Sequence, residues 1–254
     1  MSQKAKSRQD EIMKIVTCEG KVKVVELAKR FQVSSETIRK DLFVLDKMGV
    51  LIKSHGEAVF IDNYYQLPLD VKLQENLEAK RVIAKAALDL IKDGSVVYLE
   101  AGSTSIQVAK LLCVKKNLTL VTNSISIANI VVDSNHDVIV CGGLLQKQGK
   151  ALIGNYAVDV LKTIHIDIAI GGSDGFKGMD GFTTFSLEEK EVRKQVLKSS
   201  DINVIVCDAS KFDKTSTYTF GKFSMYDYFI TDEYDPNKLK QVVGVKKIIS
   251  VRGV

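Results

Sequence analysis

No apolar run in the 254 residues reaches the roughly 18 that a membrane-crossing helix needs, and the polar start from Met1 to Asp10 lacks the apolar segment of a secretory signal. The expectation is a soluble, cytoplasmic protein that is not exported and has no membrane partner. Cysteine is scarce as well. Cys18, Cys113, Cys141 and Cys207 are scattered with no C-x-x-C, and His55, His136 and His165 share no metal-ligand spacing. They read as buried or idle thiols of a reducing compartment, so neither a metal site nor a thiol nucleophile is expected. No G-x-G-x-x-G or G-x-x-x-x-G-K-[ST] loop occurs, so nucleotide cofactors are not indicated, and no internal repeat is found.

What is present divides the chain in two. Its length and 45% hydrophobic content allow a sizeable core, as one large domain or a large domain with a small one, and the charge distribution favours the second. Residues 1–57 hold 12 Lys or Arg against 8 Asp or Glu, an excess of +4 out of a net +5. The remainder is close to neutral. A small basic module joined to a neutral larger one is the asymmetry expected of a nucleic-acid-binding unit attached to something else.

Residues 33–56 hold the strongest local signal. Ser34 and Ser35 can each cap a helix start, and Glu36 places a negative charge in its first turn. Ile38, Leu42 and Leu45 then recur at i, i+4 and i+7, a stripe one face can bury, and Gly49 supplies the stop. The opposite face carries Ser35, Glu36, Arg39, Lys40, Phe43 and Lys47, with Thr37 at its edge. Short hydroxyls and two adjacent cations near a helix N-terminus suit phosphates and base edges of double-stranded DNA. Helices are also expected over 8–18, from Ile12, Ile15 and Val16, and over 24–31, with Gln32-Val33 as a tight connection: a helix-turn-helix. Apolar runs 50–52 and 58–60, parted by a turn with Lys53 and His55 near its tip, predict a two-stranded wing.

Arg8-Gln9, Val24-Val25-Glu26-Leu27-Ala28, Phe31-Gln32-Val33-Ser34, Thr37-Ile38-Arg39-Lys40-Asp41-Leu42, Gly49 and His55-Gly56 together resemble the DNA-binding half of the DeoR family of bacterial transcription regulators. Lys40 stands where the family usually has a second arginine, and Glu57 where it usually has a second glycine. The resemblance implies operator DNA as partner, and the reading of the helix face and wing puts Ser34, Ser35, Glu36, Thr37, Arg39, Lys40, Lys53 and His55 at the contact, with a plain surface loop position as the alternative for His55.

Beyond a linker expected over 61–76, which contains Pro68, a helix is predicted over 79–90. Five apolar runs follow, at 96–99, 118–121, 138–141, 166–170 and 202–207, mostly separated by helical patterns. Buried runs alternating with helices predict a doubly wound parallel α/β domain over 77–254. A further strand is expected over 226–231, a short helix over 236–241 and a last strand over 246–251. In such a sheet the ligand sits beyond the carboxyl ends of the strands. The residues there are Glu100-Ala101-Gly102-Ser103-Thr104-Ser105, Thr122-Asn123-Ser124, Gly142-Gly143, Gly171 to Gly175, and Asp208 to Lys211. Turns alone favour such residues, but five loops of small and polar residues on one edge point to a phosphorylated sugar or polyol. Lys211 would supply a charge, and Glu100, Asp174 and Asp208 would accept from hydroxyls.

This half also resembles the effector domain of the same family, which is similar in fold to ribose-5-phosphate isomerase. The matching residues are Lys80-Arg81, Ile83-Ala84, Gly102-Ser103-Thr104, Thr122-Asn123-Ser124, Gly142-Gly143, Asp174-Gly175, Thr183-Thr184 and Asp208-Ala209-Ser210-Lys211-Phe212. By position, the family's ligand loops put Gly102, Ser103, Thr104, Asn123, Asp174 and Lys211 at the pocket. Glu100, Ser105, Gly142 and Gly143 join them from the reading of the strand ends. Glu100 replaces the usual aspartate, and no arginine follows Gly143 where one is common. The expected function is a non-enzymatic transcriptional repressor of a sugar or polyol operon, a homo-oligomer (dimer or tetramer) with no catalytic residues, cofactor or metal. The rival is a sugar-phosphate isomerase with an accessory basic domain, using Asp174, Glu100 and Lys211 as acid, base and phosphate anchor.

Overall fold

The computed structural model describes residues 3–19, 21–47, 51–54, 57–60 and 68–252. The chain divides into two compact units, Met1–Lys72 and Leu73–Val254.

In the first unit, α1 (Gln3–Glu19), β1 (Lys21–Lys23), α2 (Val24–Phe31) and α3 (Ser35–Lys47) precede β2 (Leu51–Ser54) and β3 (Glu57–Phe60). The stripes of the three helices meet in one core, in which Ile12, Leu27, Ile38, Leu42 and Leu45 are all buried. The sharp α2-to-α3 connection rests on Gln32, which adopts a left-handed conformation (φ 52°) while Val33 N–H bonds to Ala28 O at 3.1 Å. The wing is wider than the two strands expected. β1 pairs antiparallel with β3, which pairs with β2, so the sheet order is β1-β3-β2. Three residues of alternating Lys and Val are too short a run to register as a strand by periodicity. Gly49, His55 and Gly56 lie outside the described residues, as do residues 61–67 of the expected linker. Its later part contains a one-turn helix, α4 (Leu69–Lys72).

The second unit is built on seven parallel strands: β4 (Val96–Leu99), β5 (Thr119–Thr122), β6 (Asp137–Val140), β9 (Ile166–Gly171), β11 (Ser200–Val206), β13 (Tyr228–Thr231) and β14 (Lys247–Ser250). Their order is β14-β13-β11-β9-β4-β5-β6, every neighbouring pair parallel. The chain runs from β4 outward to β6 and then returns to build the other side from β9. The strand order therefore reverses between β4 and β9, where a doubly wound sheet opens its ligand crevice. Helices α5 (Leu77–Asp89), α6 (Ser103–Ala109), α7 (Ile125–Val131), α8 (Asn155–Lys162), α9 (Leu187–Ser199) and α10 (Pro236–Leu239) complete the unit. Tyr98, Val121 and Ala169 pack with Leu161, Val192 and Val196 of α8 and α9. The alternate residues Val97, Leu99, Leu120 and Ile168 are also buried, so both faces of the central strands are covered, whereas the edge strand β6, expected as a buried run, is largely exposed.

Two small antiparallel pairs were not foreseen: β7 (Leu144–Gln146) with β8 (Ala151–Ile153), and β10 (Gly181–Thr184) with β12 (Tyr218–Lys222). The second roofs an aromatic cluster in which Phe176 meets Phe182, Phe212, Phe223 and Phe229 edge to face, with centroids 4.9–6.1 Å apart. Phe220, Phe223, Tyr226 and Phe229 are packing residues of this cluster.

Candidate functional site

Ser34 caps α3. Its Oγ accepts from Thr37 N–H at 3.1 Å and lies 2.9 Å from Thr37 Oγ1, so both hydroxyls define the helix start. Arg39 and Glu36 form an ion pair at 3.6 Å with both side chains 65% exposed. An exposed pair of this kind contributes little, so the guanidinium is available to a partner. Lys40 and Phe43 are exposed beside it. This face is held by a contact that sequence reasoning missed. Asp41 is buried and accepts from Arg8 Nε at 2.6 Å and Gln9 Nε2 at 2.8 Å, locking α1 against α3. A charged residue inside an apolar stripe, with Arg8-Gln9 upstream, was the available signal. The side chain of Lys53 lies outside the described residues.

In the parallel sheet all candidate effector residues follow strand ends on one edge, but their surroundings divide them. Gly102 opens α6, followed by Ser103 and the buried Thr104 and Ser105; Ser105 Oγ has no hydrogen-bond partner among the described residues. Asn123 is a clamp: Oδ1 accepts from Ala101 N–H at 2.9 Å and Nδ2 donates to Leu152 O at 3.3 Å. Gly142 is exposed. Gly143 has φ 134°, and a Cβ there would fall 2.4 Å from Ile153 O, so only glycine lets β7 approach β8. Asp174 Oδ2 accepts from Phe185 N–H at 3.1 Å. Lys211 is buried in a short 3₁₀ turn, Ala209–Asp213.

Glu100 is engaged internally. Its Oε1 lies 2.8 Å from Arg193 Nε, and its Oε2 accepts from Gly172 N–H at 3.1 Å. Arg193 Nη1 also donates to Gly172 O at 3.2 Å, and the guanidinium stacks on Phe220 at 4.4 Å. Glu189 extends the network, accepting from Gln146 Nε2 at 2.7 Å and Thr184 Oγ1 at 2.5 Å. The pair thus straps the loops after β4 and β9 across the point where strand order reverses. Burial raises the Glu100 carboxyl to about 7, with Arg193 opposing the rise. The carboxylates of Glu100, Glu189 and Asp174 outweigh burial at Arg193 and hold its guanidinium above its ordinary value. Sequence reasoning missed Arg193 and Glu189 because α9, rich in Lys and Glu, carries no periodic mark of a buried charge.

Burial pushes the thiols of Cys141 and Cys207 up to about 11 and about 12, which makes them poor nucleophiles. Among the described residues, one group has metal-ligand proximity: His165, Asp167 and Asp201, with donor atoms within 4.8 Å of one another. It lies at the opposite edge of the sheet, with Asp167 Oδ2 already receiving Val96 N–H at 2.7 Å. No helix among those described is long and apolar enough to cross a membrane.

Two family models match the chain: a DeoR-like helix-turn-helix domain over residues 8–64 and a DeoR C-terminal sensor domain over 75–233. The glycerol-3-phosphate regulon repressor of Escherichia coli K12 is 29% identical, covering 94% of this chain and 96% of that one. The transcriptional regulator GolR of Listeria innocua is 30% identical over 89% of each chain. Among solved structures, ribose 5-phosphate isomerase A of Methanocaldococcus jannaschii matches at TM-score 0.39 and 19% identity, over 54% of this chain and 55% of that one. A basic helix-turn-helix with an exposed reading face, a parallel α/β unit, and both family models in the same order lead to one assignment: the chain belongs to the DeoR family of DNA-binding transcriptional regulators.

Proposed function

We propose that this chain is a cytoplasmic repressor that binds operator DNA as a homo-oligomer and is controlled by a phosphorylated sugar or polyol received at the carboxyl edge of its parallel sheet. The observation that carries the reading is the outward face of α3, where Arg39 and Lys40 stand exposed behind a serine-capped N-terminus. Two such helices, one per subunit, would meet half-sites about 34–36 Å apart or a multiple of it. The ligand would shift the population between arrangements that present the helices well or badly. An isomerase reading is disfavoured by the same geometry. Glu100, its candidate base, spends both oxygens on Arg193 and Gly172.

Arg39→Ala is the test of the reading face. It is expected to weaken binding to the protein's own upstream DNA by about ten- to hundredfold, the value of a good base or phosphate contact. Any ligand-induced rise in melting temperature should be unchanged. Unaltered DNA affinity in a fluorescence anisotropy titration would remove α3 from the interface.

A further inference from the structure

The two edges of the seven-stranded sheet differ in sequence. β14 opens with Lys247, preceded by Lys246, and lysines on an edge strand discourage pairing with another chain. β6, at the other end, reads Asp137-Val138-Ile139-Val140, with neither lysine nor proline. Its inner ladder is fixed by Asp137 N–H on Leu118 O at 3.1 Å and Cys141 N–H on Thr122 O at 2.8 Å. By the alternation of a parallel pair, the N–H and C=O groups of Val138 and Val140 therefore point away from β5, to a side where no strand among the described residues meets them. Such a ladder is a template for another strand.

The surface beside it is apolar. Half of the large apolar side chains exposed among the described residues fall between residues 125 and 156. They include Val132 at the end of α7, Ile139 and Val140 on β6, Leu144 and Leu145 on β7, and Tyr156 on α8. These elements adjoin one another: α7 packs against β6, β7 follows β6 after three residues, Leu144 pairs with Ile153 of β8, and α8 begins two residues later. Exposures run from 36% at Ile139 to 77% at Tyr156, which leaves several hundred Å² of apolar surface in water, at the scale of the roughly 800 Å² that each partner contributes to a stable interface.

We propose that the β6 edge and the apolar patch around it receive a second copy of this chain, about a two-fold axis that sets the two β6 strands antiparallel. The inference rests on the reading of the chain as a homo-oligomeric repressor, and it names the surface by which two recognition helices are held together on one operator. A two-fold contact must be self-complementary, and this edge is. With Ile139 on the axis, Val138 of one copy faces Val140 of the other, a pair that can exchange both N–H to C=O bonds. The two Asp137 carboxylates then lie at opposite ends of the paired strands, so like charges do not meet.

The test is sedimentation equilibrium of the full-length protein at micromolar concentration, with Val140→Lys and Leu144→Lys as variants and Val243→Lys, exposed near the opposite edge, as control. The two-fold axis places each new charge in the interface twice. Each variant should therefore raise the dissociation constant by about a hundredfold or more and reduce the assembly to half its mass or less, while Val243→Lys leaves it unchanged. Both variants should also bind the upstream duplex about a hundredfold more weakly, since the second half-site no longer adds to the first. Leu144→Lys, on a side chain 70% exposed, decides the matter where Val140→Lys fails to fold. A wild-type oligomer that both folded variants preserve would overturn this assignment and leave the repressor reading standing. A wild type that sediments as a single chain, both free and on its upstream duplex, would overturn the homo-oligomer reading and this inference with it.

Discussion

Replacing Arg193 with leucine is expected to lower the stability of the α/β unit by about 3–5 kcal/mol, the cost of leaving a buried charge without its partner. Glu100 would keep only the Gly172 N–H, inside a site where the side chains of the pair are 10% and 7% exposed. The loss should depend on pH with a definite sign. The Glu100 carboxyl titrates at about 7 in the folded protein, above its ordinary 4.5, because burial disfavours the charged form. A carboxyl raised in this way contributes stability that is fully present below about 4.5 and is lost as pH rises through about 7. Without Arg193 its folded value rises further, so the variant should go on losing stability above pH 7, where this contribution in the wild type has levelled. Urea titrations at pH 6 and 8.5 would measure both. The double variant Glu100→Gln with Arg193→Leu should recover most of the loss, since a neutral replacement of a buried pair is often tolerated. A penalty that is the same at both pH values, or no recovery in the double variant, would mean that the pair is not what holds the two loops.

The second large effect is expected at Asp41. Asp41→Ala leaves the Arg8 guanidinium and the Gln9 amide without their acceptor between α1 and α3. Arg8 keeps 19% of its side-chain surface exposed, so the cost should fall at the lower end of the range for broken buried pairs, about 3 kcal/mol. That is large for a unit of this size, whose total stability is on the order of 0.05–0.15 kcal/mol per residue. Hydrogen exchange of the α3 amides in the full-length chain should therefore accelerate by about a hundredfold, and specific DNA binding should fail at lower temperature than in the wild type. A change of less than about tenfold would show that α1 and α3 are held by their apolar core alone.

Much of this was legible in residue order because the relevant forces are periodic. The α3 stripe, its serine cap and the sequence of apolar runs that became β4, β5, β6, β9, β11 and β13 each leave a mark at fixed spacing. Elements whose partners are distant in sequence left none. β1 became a strand only through pairing with β3, and the β10–β12 pair exists because it roofs an aromatic cluster gathered from residues 176 to 229. The candidate site divides in the same way. Position after a strand end was readable and placed Gly102, Ser103, Thr104, Asp174 and Lys211 on one edge. The occupation of each side chain was not, which is why Glu100 and Asn123, expected to face a ligand, prove to bind other parts of the chain. Gly143 is glycine because of Ile153 O, a contact no local pattern encodes.

The coupling between the two units is the centre of the account, and one titration addresses it most directly. The wild-type protein would be titrated onto a duplex from its own upstream region and onto a random duplex of equal length, at about 150 mM salt, with and without the sugar or polyol phosphate that best raises its melting temperature. The account predicts at least about a thousandfold preference for the upstream duplex, the lower end of the range for specific binders, and a clear change in that preference when the ligand is added. Equal affinity for both duplexes, or a preference untouched by saturating ligand, would contradict it.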